Sequence, residues 1–210
     1  MIFSCLITGT GGQGTWLASR IIGAAAIARG FDARGAKAAG FSRRSGCAVS
    51  HVRFGQSIQS PLIPHGKADL IIALEPAEAV RTRTYLSPTG RMLVLDKPVM
   101  PQSVVSGEEK YPIAEIMSFL NTYLNRPTEE HIAQKDITEW LVIIEAEKLI
   151  KKSGSSTMFN TALLGAAIGE KMLPLAADDI IAAMRELLPR EYLDINISSF
   201  NAGMELAKPR

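Results

Sequence analysis

Apolar residues occur along the chain in two arrangements, short continuous runs and longer segments of helical spacing. The continuous runs span residues 2–8, 68–74, 92–96 and 140–144. Such runs are typical of strands in parallel sheets that are buried on both faces. The segments of helical spacing span residues 15–30, 76–86 and 112–125. This alternation predicts an α/β fold, a Rossmann-like doubly wound sheet with helices on both faces.

Between the first helical segment and the second apolar run the pattern is weaker. Residues 47–54 alternate as a strand does, with His51 on one face and Val52 on the other. Residues 33–38 are interpreted as a weak strand or a loop.

The C-terminal part is predicted to be helical. Many small side chains in residues 156–172 predict a closely packed helix, and a second helix runs from about residue 177 to a stop at Pro189. A last helix is expected from about Ile195 to Leu206. The length of 210 residues suits a single domain, residues 1–210.

Composition and charge exclude several classes of protein. Apolar residues make up 47% of the chain and the formal net charge is +2, so neither a nucleic-acid partner nor a membrane is indicated. The N-terminus lacks the basic segment and cleavage site of a secretory signal. No apolar run approaches the roughly 20 residues that span a bilayer. We therefore expect a cytoplasmic protein.

A glycine-rich loop follows the first predicted strand directly. It reads GTGGQGTW, with Gly9, Gly11 and Gly14 in the pattern G-x-G-x-x-G. A loop between a strand and a helix N-terminus gathers backbone amides and the helix dipole, which favours a bound anion. The alternative is that the loop only turns the chain, because the pattern alone is a weak signal.

A dinucleotide-binding role needs an acidic residue at the end of the second strand. Asp32 lies at nearly the expected distance, but it precedes the candidate strand. Arg34 or Lys37 would have to read a 2′-phosphate instead. The P-loop pattern is absent, because Thr15 and not lysine follows Gly14.

A second candidate loop, GFSRRSG at residues 40–46, is strongly basic. Loops gather at one edge of a doubly wound sheet, where ligands bind. Arg43 and Arg44 would suit a phosphate-bearing ligand or an acidic partner. The alternative is a solvated loop.

Catalytic and metal-binding patterns are not found. The chain has two cysteines, Cys5 and Cys47, and Cys5 is expected in the core. Clusters and structural zinc sites need several closely spaced ligands, which these cysteines cannot supply. The three histidines follow no catalytic pattern, and no cluster of carboxylates stands out.

The chain resembles the small, gamma-type subunit of 2-oxoacid:ferredoxin oxidoreductases, and in particular the beta subunit of the indolepyruvate enzymes. Four segments occur in that family's order. They are GTGGQG at 9–14, the serine–arginine loop that leads into VSHVR at 49–53, PLIPHGKAD at 61–69 and ALEP at 73–76. The segment FNTALLGAAIGEKMLP at 159–174 also looks like the family's asparagine-containing helix.

The resemblance implies a subunit that bears no cofactor of its own and is inactive alone. Thiamine diphosphate and iron–sulfur clusters would reside on a large partner subunit, which decarboxylates indolepyruvate or another aryl pyruvate. Coenzyme A would take the acyl group as a co-substrate, and ferredoxin would take the electrons indirectly. A homodimer is one expectation for the isolated chain. No catalytic residue and no metal ligand is assigned to this chain.

The two loops would then face coenzyme A or the active site of the large subunit. The residues assigned to this cofactor-binding role are Gly9, Gly11, Gly12, Gln13, Gly14, Ser42, Arg43, Arg44 and Gly46.

The basic loop departs from the family pattern. Arg43 stands where the family usually has glutamine, Ser45 where it has glycine, and Cys47 where it has a small polar residue. Residues 103–140 fit the family poorly and are predicted to be a variable helical insertion. Two other functions remain open from the sequence, a stand-alone Rossmann-type nucleotide-binding protein and an assembly subunit whose glycine loop binds nothing.

Overall fold

The computed structural model describes residues 2–39, 46–124 and 140–207. Its strands in these ranges are β1 (Ile2–Thr10), β2 (Asp32–Ala39), β3 (Cys47–Gly55), β4 (Ala68–Ala73), β5 (Leu86–Leu95) and β6 (Leu141–Ile144). The α-helices are α1 (Thr15–Ala28), α2 (Pro76–Thr82), α3 (Gln102–Val105), α4 (Ile113–Phe119), α5 (Ala146–Ser153), α6 (Phe159–Gly169), α7 (Ala177–Leu187) and α8 (Arg190–Leu206).

The strands form one mixed sheet in the order β2-β3-β1-β4-β5-β6. β1, β4, β5 and β6 are parallel. β3 is antiparallel to both of its neighbours, β1 and β2, so β2 runs in the same direction as β1. The predicted α/β fold with helices on both faces is confirmed. The sheet differs from a purely parallel one because β3 is inserted between the two strands that α1 connects.

Alternate residues of the central strands enter two different cores, because side chains along a strand point to opposite faces. In β4, Leu70 and Ile72 belong to the larger core, which also contains α1 and the C-terminal helices. Ile71 and Ala73 belong to the smaller core, which α2 and Leu120 cover. Burial on both faces explains why these strands are continuous apolar runs in the sequence.

The predicted close packing of the helix in residues 156–172 is confirmed. A Cβ added to Gly165 of α6 would lie 1.9 Å from the carbonyl oxygen of Phe200 in α8. A Cβ added to Gly203 of α8 would lie 1.9 Å from the carbonyl oxygen of Ala162. The two helices therefore touch through their backbones, which only glycine at these positions permits.

Some boundaries differ from the sequence-based expectation. Residues 33–38 are part of a regular strand, β2, and not a loop. The strand expected at 92–96 begins earlier, at Leu86. The last helix begins at Arg190, five residues before the expected Ile195, because Pro189 occupies its N-cap position as well as following α7.

The predicted insertion at residues 103–140 falls partly outside the described residues. Its described part contains most of α3, then α4, and a π-helical turn at Leu120–Leu124. The prediction that this segment is a variable insertion stays a prediction. None of the described helices is long and apolar enough to cross a membrane.

Candidate functional site

The glycine loop lies in the crevice between the carboxyl ends of β1 and β4. From these two strands the chain leaves on opposite sides of the sheet, through α1 and through α2. This is the switch point at which open α/β sheets bind their ligands. The sequence-based expectation placed the candidate site at this edge, and that assignment stays a prediction.

The loop is held in shape by the side chain of Gln13. Its Oε1 accepts a hydrogen bond from the Thr10 amide at 2.7 Å, and its Nε2 donates to the Leu74 carbonyl at 2.9 Å. The Gln13 amide itself donates to the Thr10 carbonyl at 3.2 Å. Gln13 therefore fixes the end of β1 to the residue that follows β4.

The loop is also tied to the start of β3. The Gly11 amide donates to the Gly46 carbonyl at 3.0 Å. Together with Thr10 and Gln13, this makes three amides of the loop that bind the protein itself and are not available to a phosphate. An anion at this loop would have to use the other amides, those of Gly12 and Gly14 and those at the start of α1.

Asn160 closes the loop from the side of α6. Gly14 caps α1 with a φ of +79°, a conformation that glycine adopts without strain. Asn160 Nδ2 lies 3.4 Å from the Gly14 carbonyl, to which it donates, and 2.5 Å from the place of a Gly14 Cβ. Sequence reasoning assigned no role to Asn160, although the FNTALLG segment signalled it.

Two buried carboxylates, Glu75 and Glu78, line the crevice on the α2 side, and each is 1% exposed. Glu75 Oε2 caps α2 by accepting from the Glu78 amide at 2.9 Å, and Glu75 Oε1 accepts from the Tyr111 hydroxyl. Burial and this carboxylate raise the pKa of Tyr111. The sequence analysis picked out no cluster of carboxylates, and it did not identify this buried pair. The signal was the spacing of three residues between Glu75, in the ALEP segment, and Glu78.

Cys47 lies beside this pair of carboxylates at the start of β3. Burial first, and then the Glu78 carboxylate, raise the pKa of the Cys47 thiol to about 12, whereas Arg81 and Thr8 act in the opposite direction. Burial also raises the pKa of Cys5, which is 0% exposed and lies in the core as expected. Both thiols are therefore held protonated, which makes them poor nucleophiles and poor metal ligands.

The structure brings only part of the predicted cofactor-binding set together. Gly9, Gly11, Gly12, Gln13 and Gly14 form one loop, and Gly46 touches it. Ser42, Arg43 and Arg44 lie outside the described residues, and so their role stays a prediction. Within the described part of the chain, no group of three or more His, Cys, Asp or Glu side chains could hold a metal ion.

The acidic residue that a dinucleotide-binding role would need, Asp32, is at the wrong end of the sheet. Asp32 pairs in register with Gly55 of β3, and Gly55 pairs with Ile2, so Asp32 lies at the end of the sheet where β1 starts, with β3 between the two strands. Its carboxylate accepts from the Ile58 amide at 3.0 Å. The glycine loop follows the other end of β1, so Asp32 cannot hold the ribose of a nucleotide bound there.

His51 is a packed histidine and not a member of the site. Its Nδ1 accepts a hydrogen bond from the Ile63 amide at 3.2 Å, and its ring meets Tyr85 edge to face. Burial lowers the pKa of His51. His65 stacks on the same Tyr85 ring. His131 falls outside the described residues.

The chain is similar to a known protein family and to named members of it. The family model described as pyruvate ferredoxin/flavodoxin oxidoreductase matches residues 4–206. Indolepyruvate oxidoreductase subunit IorB of Thermococcus kodakarensis is 31% identical over 206 residues, which are 98% of this chain and 96% of that protein. The subunit of the same name from Archaeoglobus fulgidus is 30% identical over 208 residues, 99% of this chain and 96% of that protein.

Solved structures resemble the fold at lower identity. The gamma subunit of a keto/oxoacid ferredoxin oxidoreductase from Geobacter sulfurreducens has a TM-score of 0.67 at 18% identity, covering 99% of this chain and 97% of that one. A 2-oxoglutarate:ferredoxin oxidoreductase from Magnetococcus marinus, with 2-oxoglutarate, coenzyme A and succinyl-CoA bound, has a TM-score of 0.64 at 17% identity. The matched region covers 98% of this chain and 31% of the chain from Magnetococcus marinus. The resemblance stated from the sequence motifs is confirmed.

Proposed function

Because the chain belongs to the pyruvate ferredoxin/flavodoxin oxidoreductase family, we propose that it is the small subunit of a 2-oxoacid:ferredoxin oxidoreductase acting on indolepyruvate or another aryl pyruvate. The observation that carries this proposal is the similarity to IorB subunits over almost the full length of both proteins, 98% and 96%. The expected reaction is oxidative decarboxylation of the oxoacid to an acyl-coenzyme A.

Thiamine diphosphate and the iron–sulfur clusters are assigned to a large partner subunit. These groups supply the carbanion chemistry of decarboxylation and the transfer of single electrons. A cluster needs about four cysteine ligands, whereas this chain contains two cysteines. Those two are separated in the sheet, since Cys5 pairs with Val52 and Cys47 pairs with Thr10. The residues of this chain do not fit a cluster.

The glycine loop and the basic loop are proposed to face coenzyme A or the large subunit. Gly46, the last residue of the basic loop, accepts a hydrogen bond from the Gly11 amide, so this residue lies against the glycine loop. A phosphate would be repelled by Glu75 and Glu78 on the α2 side of the crevice. The attraction for a phosphate therefore has to come from the basic loop. Guanidinium groups bind phosphate oxygens in a forked geometry. Arg43 and Arg44 are the proposed donors.

Reconstitution tests the proposed function. The chain alone, the cognate large subunit alone and the two together are supplied with indolepyruvate, coenzyme A and a one-electron acceptor. We expect turnover only from the complex, with a higher kcat/KM for indolepyruvate than for pyruvate or 2-oxoglutarate. Full turnover by the isolated chain would overturn the subunit assignment, and a preference for a non-aromatic oxoacid would overturn the substrate assignment.

A further inference from the structure

A cavity of about 260 Å³ opens beside Thr10, at the end of β1. α2 forms one wall, and residues 99–111 contribute the other. The charged residues in its lining are three carboxylates, Glu75, Glu78 and Glu109, and one cation, Arg81. The cavity therefore has an excess of negative charge.

Glu75 needs nothing further in this cavity. Both of its carboxylate oxygens accept hydrogen bonds, one from the Glu78 amide and one from the Tyr111 hydroxyl. Its role is to begin α2 and to hold Tyr111 in the opposite wall.

Glu78 is different, because only one of its oxygens is paired. Oε1 accepts from Arg81, whose side chain is 62% exposed. Oε2 is buried and accepts no hydrogen bond from any nitrogen or oxygen of the described residues. The Cys47 thiol is hydrogen-bonded to the Glu78 carboxylate, but a thiol is a weak donor. A buried carboxylate oxygen without a strong donor is destabilising, so Glu78 Oε2 is a favourable acceptor for a donor from another molecule.

We propose that this cavity receives a cationic side chain, arginine or lysine, from the large subunit, with Glu78 Oε2 as its acceptor. The inference rests on the proposed function, since it assumes the complex. The excess negative charge of the lining attracts a cation and excludes the phosphates of coenzyme A. The volume lies below the roughly 300–1,000 Å³ typical of sites for whole cofactors and drug-sized ligands, but it accommodates the end of one side chain. A planar guanidinium with five donors matches a carboxylate especially well.

The test measures the dissociation constant between the full chain and the cognate large subunit. Glu78→Gln keeps the shape of the side chain but removes its charge, and we expect it to weaken assembly about thirtyfold or more, the range seen when one member of a buried charge pair is lost. Glu108→Gln is the matched control, since it removes one exposed carboxylate from the same region. It should assemble as the wild type does. Equal dissociation constants for the wild type and Glu78→Gln would overturn the proposal.

A second variant covers the case in which Glu78→Gln does not fold, which its thermal melt reports. Arg81→Gln removes the competing cation and leaves both oxygens of Glu78 to the incoming group. It should tighten assembly severalfold, and unchanged or weaker assembly would overturn the proposal. The cation could also come from a free small molecule and not from the large subunit. Butylguanidinium, added to the isolated chain, tests this alternative. A shift in melting temperature with it, while Glu78→Gln assembles normally, would assign the cavity to a free ligand instead.

Failure of the proposed function can be distinguished from failure of the inference about Glu78. If the wild-type chain forms no complex with the large subunit, both the subunit assignment and this inference are wrong. If the wild-type complex forms and turns over, but Glu78→Gln leaves its dissociation constant unchanged, only the inference is wrong.

Discussion

The two faces of the sheet bury different chemistry. The face covered by α1 and the C-terminal helices buries apolar side chains and a few uncharged polar ones, such as Thr161, which bonds Asn196. The face covered by α2 buries two carboxylates, Glu75 and Glu78, beside the end of β4. Buried charge is costly and contributes little to stability even when it is paired. The first face therefore maintains the fold, whereas the second keeps charge at the edge where we place the function.

The largest expected effect is on the first face, at the crossing of α6 and α8. Gly165→Ala would force the helix backbones apart, because the new Cβ would lie 1.9 Å from the Phe200 carbonyl oxygen. We expect a loss of about 3 kcal/mol or more in the free energy of unfolding, measured with urea.

Gly23→Ala is the matched control for this substitution. Gly23 is also inside a helix, α1, but its nearest neighbour would be Val52 Cγ2 at 3.9 Å. Here alanine should stabilise the protein by up to about 1 kcal/mol through its helix propensity. Equal effects of the two substitutions would show that the backbone contact of α6 and α8 does not matter.

The second-largest effect is expected at the edge of the sheet that carries the glycine loop and the basic loop. If Arg43 and Arg44 bind the phosphates of coenzyme A, replacing both with alanine should raise the KM for coenzyme A about tenfold or more, since one such contact is worth about 1.5–3 kcal/mol. Assembly should stay intact. If the arginines contact the large subunit instead, the dissociation constant of the complex rises and the KM does not.

Arg34→Ala with Lys37→Ala provides the control for the arginine pair. It removes the same charge from β2, whose side chains we do not place in the site. This control should leave both quantities unchanged. An arginine double variant that also leaves both unchanged would show that the basic loop is a solvated surface.

The smallest effect belongs to His51, on the second face. The neutral ring accepts from Ile63, and burial lowers its pKa in the folded protein. The unfolded chain therefore takes up the proton first as the pH falls below about 6.5, the ordinary value for histidine. The stability that neutral His51 contributes is complete above that pH and is lost as the pH falls through the folded pKa.

His51→Gln measures this contribution. The difference in unfolding free energy between wild type and variant should be constant from pH 7 to 8 and should shrink as the pH falls to 5. A difference that is independent of pH would show that His51 is protonated equally easily in both states.

Strands buried on both faces were predictable, because their burial leaves a continuous apolar run. β4 and β6 are examples. β2 gave a weak signal, since it is an edge strand of mainly small and charged residues. The first part of β5 gave none, because it is polar and contains Pro88, although Leu86 pairs with Ala68.

The turn from β1 to α1 was predictable from a local motif, but the contacts that hold this loop in shape were not. The glycine pattern is contained within six residues and marks the turn from strand to helix. Asn160 reaches that turn from 146 residues away in the sequence, and Gln13 bonds Leu74 from 61 residues away. Contacts of this kind depend on the tertiary fold and leave no periodicity along the chain.

The position of α8 has a consequence for synthesis on the ribosome. Phe200 is fully buried in the larger core, and the backbone of α8 lies directly against α6. While a nascent chain still lacks residues 190–206, the face of α6 that α8 covers in the folded protein is exposed. The larger core can therefore be completed only after α8 has left the ribosome. A translation product that ends before α8 would expose an apolar surface to chaperones and proteases.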